Sequence, residues 1–335
     1  MTKYTSNFFI LKYGLAFFLL MNVLGCNTAK DDIKDTTVFR YNEHKNISGL
    51  DPAFAKDNAD IWAIHQLFNG LVQMDSEMKI VACIASSWSI SDDGKIYTFK
   101  LRNDVFFHPH TNFGETKTRT VNANDFVYSF DRLKDPKLAS PGRWVLDAVK
   151  RYNAIDSHTF QMELKHPFPA FLGLLTMKYL SVVPKEIVVF YGSNFRANPI
   201  GTGPFKFKRW SEKNKLVFRR HTNYFERDKN GKALPYLEAI AITFLPNKQS
   251  EYLQFVQGNL DFVSGLDASY KDDILTASGK LNPKYNEQFS MLRSPYLNTE
   301  YLGFFMESKK SEVEGKLIRQ ARNYGLDRKK MMIYI

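Results

Sequence analysis

Apolar and polar residues alternate most clearly over residues 86–102. Trp88 and Ile90 alternate with serines, Asp92-Asp93-Gly94-Lys95 makes a turn, and Tyr97, Phe99 and Leu101 alternate with Thr98, Lys100 and Arg102. A period of two on both sides of an Asp/Gly turn predicts a β-hairpin with one buried face. A second pair follows, with Asp156-Ser157 as its turn and Phe160, Met162 and Leu164 on the buried side. Further strands are predicted at 38–41, 215–220, 237–244 and 260–265, the last running into a glycine turn. A helical period places Ile61, Ile64 and Leu67 or Phe68 on one face, closed at Gly70. Phe126, Val127, Phe130 and Leu133 form another stripe, and Asn122 with Asp125 makes a capping arrangement at its start. Pro167 and Pro169 precede a short apolar helix, and residues 250–256 predict one ending near Gly258. Residues 312–335 predict an amphipathic helix with Leu317, Ile318, Ala321, Met331 and Ile333 on its apolar face. Strands and helices mix without an internal repeat, which predicts α/β lobes with mixed sheets.

Punctuation adds one feature to this pattern. In the stretch Pro199-Ile200-Gly201-Thr202-Gly203-Pro204-Phe205, two glycines permit close backbone approach and Pro204 fixes the entry to a strand. It reads either as an ordinary loop or as a place where the chain crosses between lobes. At the N-terminus, Lys3 and Lys12 precede an apolar run over 13–24 that is too short to span a bilayer. Val23-Leu24-Gly25-Cys26 resembles a bacterial lipobox. Residues 1–25 are therefore expected to be a signal peptide, Cys26 the lipidated residue, and 26–35 a polar tether.

Charge and candidate chemistry narrow the function by exclusion. Beyond residue 25 there are 44 Lys and Arg against 35 Asp and Glu, a scattered excess of +9 with no recognisable nucleic-acid module. Cys83 lies in an apolar run and reads as a small buried residue rather than a disulfide partner. Pro109 interrupts the His108-Pro109-His110 pair, so solvated or locally hydrogen-bonded rings are expected, with no metal and no cofactor. The chain contains no nucleophile elbow and no P-loop.

An ordered set of segments resembles the large extracytoplasmic solute-binding proteins of peptide ABC transporters, solute-binding family 5, the oligopeptide- and dipeptide-binding type. The segments are the lipobox, Leu50-Asp51-Pro52, Phe68-Asn69-Gly70-Leu71, Ala85-Ser86-Ser87-Trp88 and Asp93-Gly94-Lys95-Ile96-Tyr97-Thr98-Phe99. Phe107-His108, Thr120-Val121-Asn122-Ala123-Asn124-Asp125-Phe126, Gly201-Thr202-Gly203-Pro204-Phe205 and Arg319-Gln320-Ala321 through Asp327-Arg328 continue it. Phe305 stands where the family commonly has Asn, and Pro109-His110 where it has Asp-Gly.

The resemblance implies a two-lobed periplasmic-binding-protein-like α/β fold with an extra inserted domain. The first lobe would take 36–72 and 199–294, the inserted domain 73–198, and 295–335 the crossover strand and first helix of a second lobe that is mostly missing. Gly201, Gly203 and Pro204 would carry the hinge crossover. Lys56, Asp57 and Asn58, with Ser264, Gly265 and Leu266, match cleft-facing segments that pair with an extended peptide. The implied function is a lipid-anchored, monomeric substrate-binding component of an ABC importer with a peptide ligand, permease partners and no catalysis. The alternatives are a sugar oligomer, metal chelate or haem as ligand, an extracytoplasmic hydrolase, and a nonfunctional truncated fragment. The anchor has a direct test. Cys26→Ser should convert a membrane-bound protein into a soluble extracytoplasmic one, read by fractionation, and continued membrane binding with an intact signal contradicts it.

Overall fold

The computed structural model describes residues 37–293, 301, 303–307 and 315–330; the expected signal segment, Cys26 and the tether lie outside the described residues. The chain divides into a compact unit ending at Asp267 and a smaller one beginning at Ala268, within the 199–294 span expected of the first lobe. In chain order the first unit begins β1 (Val38–Asn42), α1 (Asn58–Leu67), β2 (Val72–Met74), β3 (Ile80–Ala82), β4 (Ala85–Ile90) and β5 (Ile96–Leu101). It continues with α2 (Ala123–Lys134), β6 (Val149–Asp156), β7 (Thr159–Leu164), α3 (Phe171–Leu174) and α4 (Lys185–Tyr191). It ends with β8 (Phe205–Ser211), β9 (Lys215–Arg220), β10 (Ala239–Thr243) and α5 (Lys248–Val256). Two four-stranded sheets result, ordered β1-β10-β9-β8 and β4-β5-β7-β6, with a β2-β3 ribbon. β1 and β10 are parallel, while β9 is antiparallel to both β10 and β8, so this sheet is mixed.

The predicted hairpins build the second sheet. Tyr97, Phe99 and Leu101 are buried, and Phe99 faces Phe160 while Tyr97 faces Met162 across the β5–β7 ladder. β4 lies at the sheet edge, so its apolar positions are less covered: Trp88 is half-buried and Ile90 exposed. The capping box at Asn122 and Asp125 forms, and it starts α2 so that Phe126, Phe130 and Leu133 enter the same core. The rings of Phe126 and Phe130 lie 5.7 and 5.5 Å from that of Phe160. Each such buried aromatic contributes about 1.5–3 kcal/mol. The first sheet has its own core, in which Ile64, Leu67 and Phe68 cover Leu216, Phe218, Ile240 and Ile242. Val183, Ile187 and Phe195, which precede the crossover in sequence, pack into this core too.

The expected strand at 260–265 is reduced to one parallel bridge, Tyr41 with Phe262. The Asp261 carboxylate accepts the Arg40 N–H at 2.6 Å, occupying a donor that a longer ladder would use. In the second unit, described by itself, α6 (Ala268–Ile274) precedes a bridge between Leu275 and Leu281. Its Asp273 side chain accepts from Tyr285 Oη at 2.6 Å and pairs with Lys284. Among the described residues the predicted helix over 312–335 is interrupted: α7 spans Lys316–Gly325, 326–327 are not helical, and 328–330 are helical again. Leu317 and Ile318 on it are exposed, and Met331 and Ile333 lie outside the described residues.

The glycine stretch joins the two cores. A Cβ on Gly201 would lie 2.1 Å from the Leu67 carbonyl oxygen, and one on Gly203 2.5 Å from that of Gln66. Only glycine fits against the end of α1 at that distance. Gly203 N–H donates to Leu67 O at 2.9 Å, and His108 N–H donates to Gly201 O at 2.7 Å. The His108 ring is buried, which corrects the expectation of a solvated histidine. Its Nδ1 accepts from Gly201 N–H at 3.3 Å, so Nε2 carries the proton and donates to Gly203 O at 3.0 Å. His221 Nδ1 reaches the same carbonyl at 3.2 Å, and Thr202 Oγ1 donates to Asn69 Oδ1 at 3.0 Å. The chain thus threads a hydrogen-bonded polar knot between two apolar cores.

That knot requires neutral imidazoles. Burial pushes His108 well below its usual value, with His221 and Lys206 adding to the effect, and burial pushes His221 down to about 4. In the unfolded chain both rings titrate near ~6.5. Between that value and about 4 the unfolded state takes up protons that the folded rings refuse. Stability is therefore full above the unfolded value and falls with pH below it, by about 1.4 kcal/mol per pH unit per ring. His221→Asn keeps a donor near Gly203 O and should remove roughly half of that slope in urea unfolding between about pH 6.5 and 4.5; an unchanged slope contradicts the account.

Candidate ligand-binding site

The Leu50-Asp51-Pro52 segment folds into a tight turn because Asp51 caps it. Its carboxylate accepts the Ala53 N–H at 3.1 Å, and Pro52 occupies the first position of the turn. The same carboxylate, 4% exposed, receives both arms of the Arg132 guanidinium from the last turn of α2, at 2.9 and 2.5 Å. Arg132 also lies over the Phe195 ring at 5.7 Å. A second tie joins the same two regions. The buried Ser140 hydroxyl donates to Ala53 O at 2.5 Å and accepts from Gly142 N–H at 3.0 Å. Between these ties Ala139 holds a left-handed backbone, φ 51°. Residues without glycine's freedom keep such a conformation only where the surroundings impose it.

These ties floor a half-open cavity of about 930 Å³, within the range of small-molecule sites. Phe54, Tyr128, Leu138 and Val188 supply apolar wall, and Lys56, Lys137 and Arg196 supply charge. Burial pushes the Tyr128 phenol up, so it stays a neutral donor. No histidine or cysteine lines the cavity, and the Ser48 hydroxyl at its edge donates to the Asp60 carboxylate at 2.7 Å. The arrangement can bind and orient a solute.

A second, smaller cavity of about 440 Å³ lies against the first sheet, walled by Phe39, Tyr41, Trp62 and Phe262. Next to it, β1 and β10 end together at Asn42 and Thr243. Asn42 there accepts from Leu245 N–H at 2.7 Å and donates to Glu251 Oε1 at 3.3 Å, and Glu251 lies 2.7 Å from His44 Nε2. Glu251 is 2% exposed, so this buried carboxylate fastens α5 to the carboxyl ends of the parallel strands. Crevices at such strand ends are the usual ligand sites of open α/β sheets.

The structure distributes the sequence-derived residues between the two cavities. Lys56 lines the larger one, while Asp57 caps α1 through its backbone and Asn58 opens that helix, both exposed. Ser264 lines the smaller one; Gly265 makes a turn at φ 76°, and Leu266 is exposed. Neither cavity is lined by both segments. Gly201, Gly203 and Pro204 line neither and sit in the polar knot. Sequence reasoning missed Arg132 and Ser140, because no local period links residues that meet across 81 or 87 positions, and it missed Lys137, which stands on the loop so fastened. The only hint was Asp51 itself.

The family description "bacterial extracellular solute-binding proteins, family 5 Middle" matches residues 79–334. Heme-binding protein A of Haemophilus influenzae is 28% identical over 323 residues, covering 90% of this chain and 56% of the relative. Glutathione-binding protein GsiB of Escherichia coli is 26% identical over 292 residues, covering 84% of this chain and 51% of the relative. Among solved structures, the periplasmic binding protein DppA of Helicobacter pylori with the peptide STSA superposes with a TM-score of 0.64 at 27% identity, covering 71% of this chain and 48% of that one. The chain thus spans about half the length of the relatives it matches.

The Asp51–Arg132 pair predicts a measurable cost. Arg132→Ala leaves a buried carboxylate without its partner and should destabilise the first unit by about 3–5 kcal/mol. Asp51→Ala/Arg132→Ala should cost less than the two single changes summed, in denaturant unfolding. Additive losses contradict the pairing.

Proposed function

The chain belongs to the bacterial extracellular solute-binding proteins of family 5, and from that premise we propose that it is the ligand-holding part of an ABC importer for peptides. The observation that carries the reading is the cavity walled by Phe54, Lys56, Tyr128 and Leu138, pre-built by the Asp51–Arg132 and Ser140–Ala53 ties. A solute seated there meets a floor that needs no reorganisation, which lowers the cost of binding. In the proposed cycle the ligand is enclosed when a second lobe closes over it, the closed state being favoured by contacts to both sides. The protein passes its ligand to permease subunits as an extracytoplasmic monomer anchored through lipid on Cys26, and it performs no catalysis. The Helicobacter pylori neighbour, solved with a peptide, supports a peptide ligand.

A non-peptide ligand is the second reading, favoured by the similarity to heme-binding protein A. The two are separated by titrating the whole chain with the tetrapeptide Ser-Thr-Ser-Ala and with haem. The peptide should bind with Kd on the order of 1 mM and shift the amide resonances of Phe54, Tyr128 and Leu138. Haem that saturates while the peptide shifts none of these overturns the peptide reading in favour of the second.

A further inference from the structure

The charges around the larger cavity do not cancel. Its wall holds four cations, Lys56, Arg132, Lys137 and Arg196, against two carboxylates, Asp51 and Asp135. Arg132 and Asp51 neutralise each other in their two-armed pair. Arg196 is turned to its own partners: it donates to Ser48 O at 3.3 Å and to Glu212 at 3.2 Å, and lies over the Trp210 ring. Asp135 accepts the Lys137 backbone N–H at 2.9 Å, an exposed turn contact that leaves its charge only partly satisfied. Lys56 and Lys137 remain. Both are exposed, and neither ammonium has an ion-pair partner among the described residues.

The two lysines line the cavity from separate segments, each held by the contacts that make it. Lys56 follows the turn capped by Asp51, with its N–H bonded to Phe54 O at 2.8 Å. Lys137 stands on the loop that Ser140 fastens to Ala53. Their stems are therefore placed by a shared, rigid base, while the ammonium groups stay free to converge on a solute. Apolar surface from Phe54 and Leu138 lies beside them.

Resting on the reading of this cavity as the ligand site, we propose that it selects anionic solutes: a carboxylate-bearing ligand, in the peptide case one with acidic side chains, bound between Lys56 and Lys137. The uncompensated positive potential favours such a ligand and repels a basic one, and both effects are screened by salt. Because the two ammonium groups are solvated, each contact is modest and the discrimination comes from their sum.

The test compares three probes on the whole chain, Glu-Ala-Glu, Ala-Ala-Ala and Lys-Ala-Lys, by amide-resonance titration at low and at high salt. Glu-Ala-Glu should bind about tenfold tighter than Lys-Ala-Lys at low salt, with the gap narrowing as salt rises. Lys56→Glu/Lys137→Glu should reverse the order. Both positions are exposed, so the variant should melt as the parent does, and this is checked by circular dichroism. Equal binding of all three probes, or a preference that survives the double substitution, overturns the anion proposal while leaving the solute-binding reading in place. Failure of every probe to bind overturns the anion proposal together with the peptide reading.

Discussion

The first unit depends on one close approach of backbone to backbone. At Gly201 and Gly203 the chain presses against the last turn of α1 at distances that exclude a side chain. The approach leaves polar groups in a place without water, and such groups must find partners. His108, His221, Thr202 and Asn69 provide them from four separate parts of the chain. The same few residues therefore fix where the β4-β5-β7-β6 sheet stands relative to the β1-β10-β9-β8 sheet. Phe113, Tyr179 and Ile200 reinforce the junction by packing against both cores.

The larger cavity follows from that junction. Its walls come from the turn before α1, from α2 and the loop after it, and from the segment after α4. These elements face one another only because the two cores are locked. The Asp51–Arg132 pair and the Ser140–Ala53 bond then rigidify the floor, so flexible long side chains remain only where a solute would be met. A receptor benefits from this division, since a fixed floor limits the entropy lost on binding and mobile cations adapt to the ligand.

Family membership and cavity chemistry address different questions. Membership describes a scaffold whose relatives carry names as different as heme-binding and glutathione-binding. A fold of this kind hosts many ligands, and the choice among them lies in the side chains of the site. Here Lys56 and Lys137 are the cations of the wall without an ion-pair partner among the described residues.

Much of the fold was legible in the sequence, because its signals are local. Alternation at Tyr97, Phe99 and Leu101 and at Phe160, Met162 and Leu164 marks strands whose buried faces the sheet confirms. The capping box at Asn122 and Asp125 needs only neighbouring atoms, and it forms as written. The glycines at 201 and 203 announced a tight passage without saying against what. Where a local pattern competes with a tertiary contact, the contact wins: Asp261 takes the Arg40 N–H and the expected strand shrinks to one bridge. His108 was expected to be solvated or bonded locally beside Pro109 and is instead buried, because its partners at Gly201 and Gly203 lie more than 90 positions away. The candidate site is the least legible part. Lys56 could be singled out from the turn it follows, but Arg132 reaches the cavity through its pair with Asp51, and Lys137 lines it on the loop that Ser140 ties to Ala53, all contacts between distant segments. The sequence by itself determined which stretches become strands and helices, since those depend on periods of two and 3.6 along the chain. Which side chains share a cavity, and which charges there stay unpaired, was decided only by the tertiary packing, because ion pairs and hydrogen bonds act through space between residues with no short-range relation.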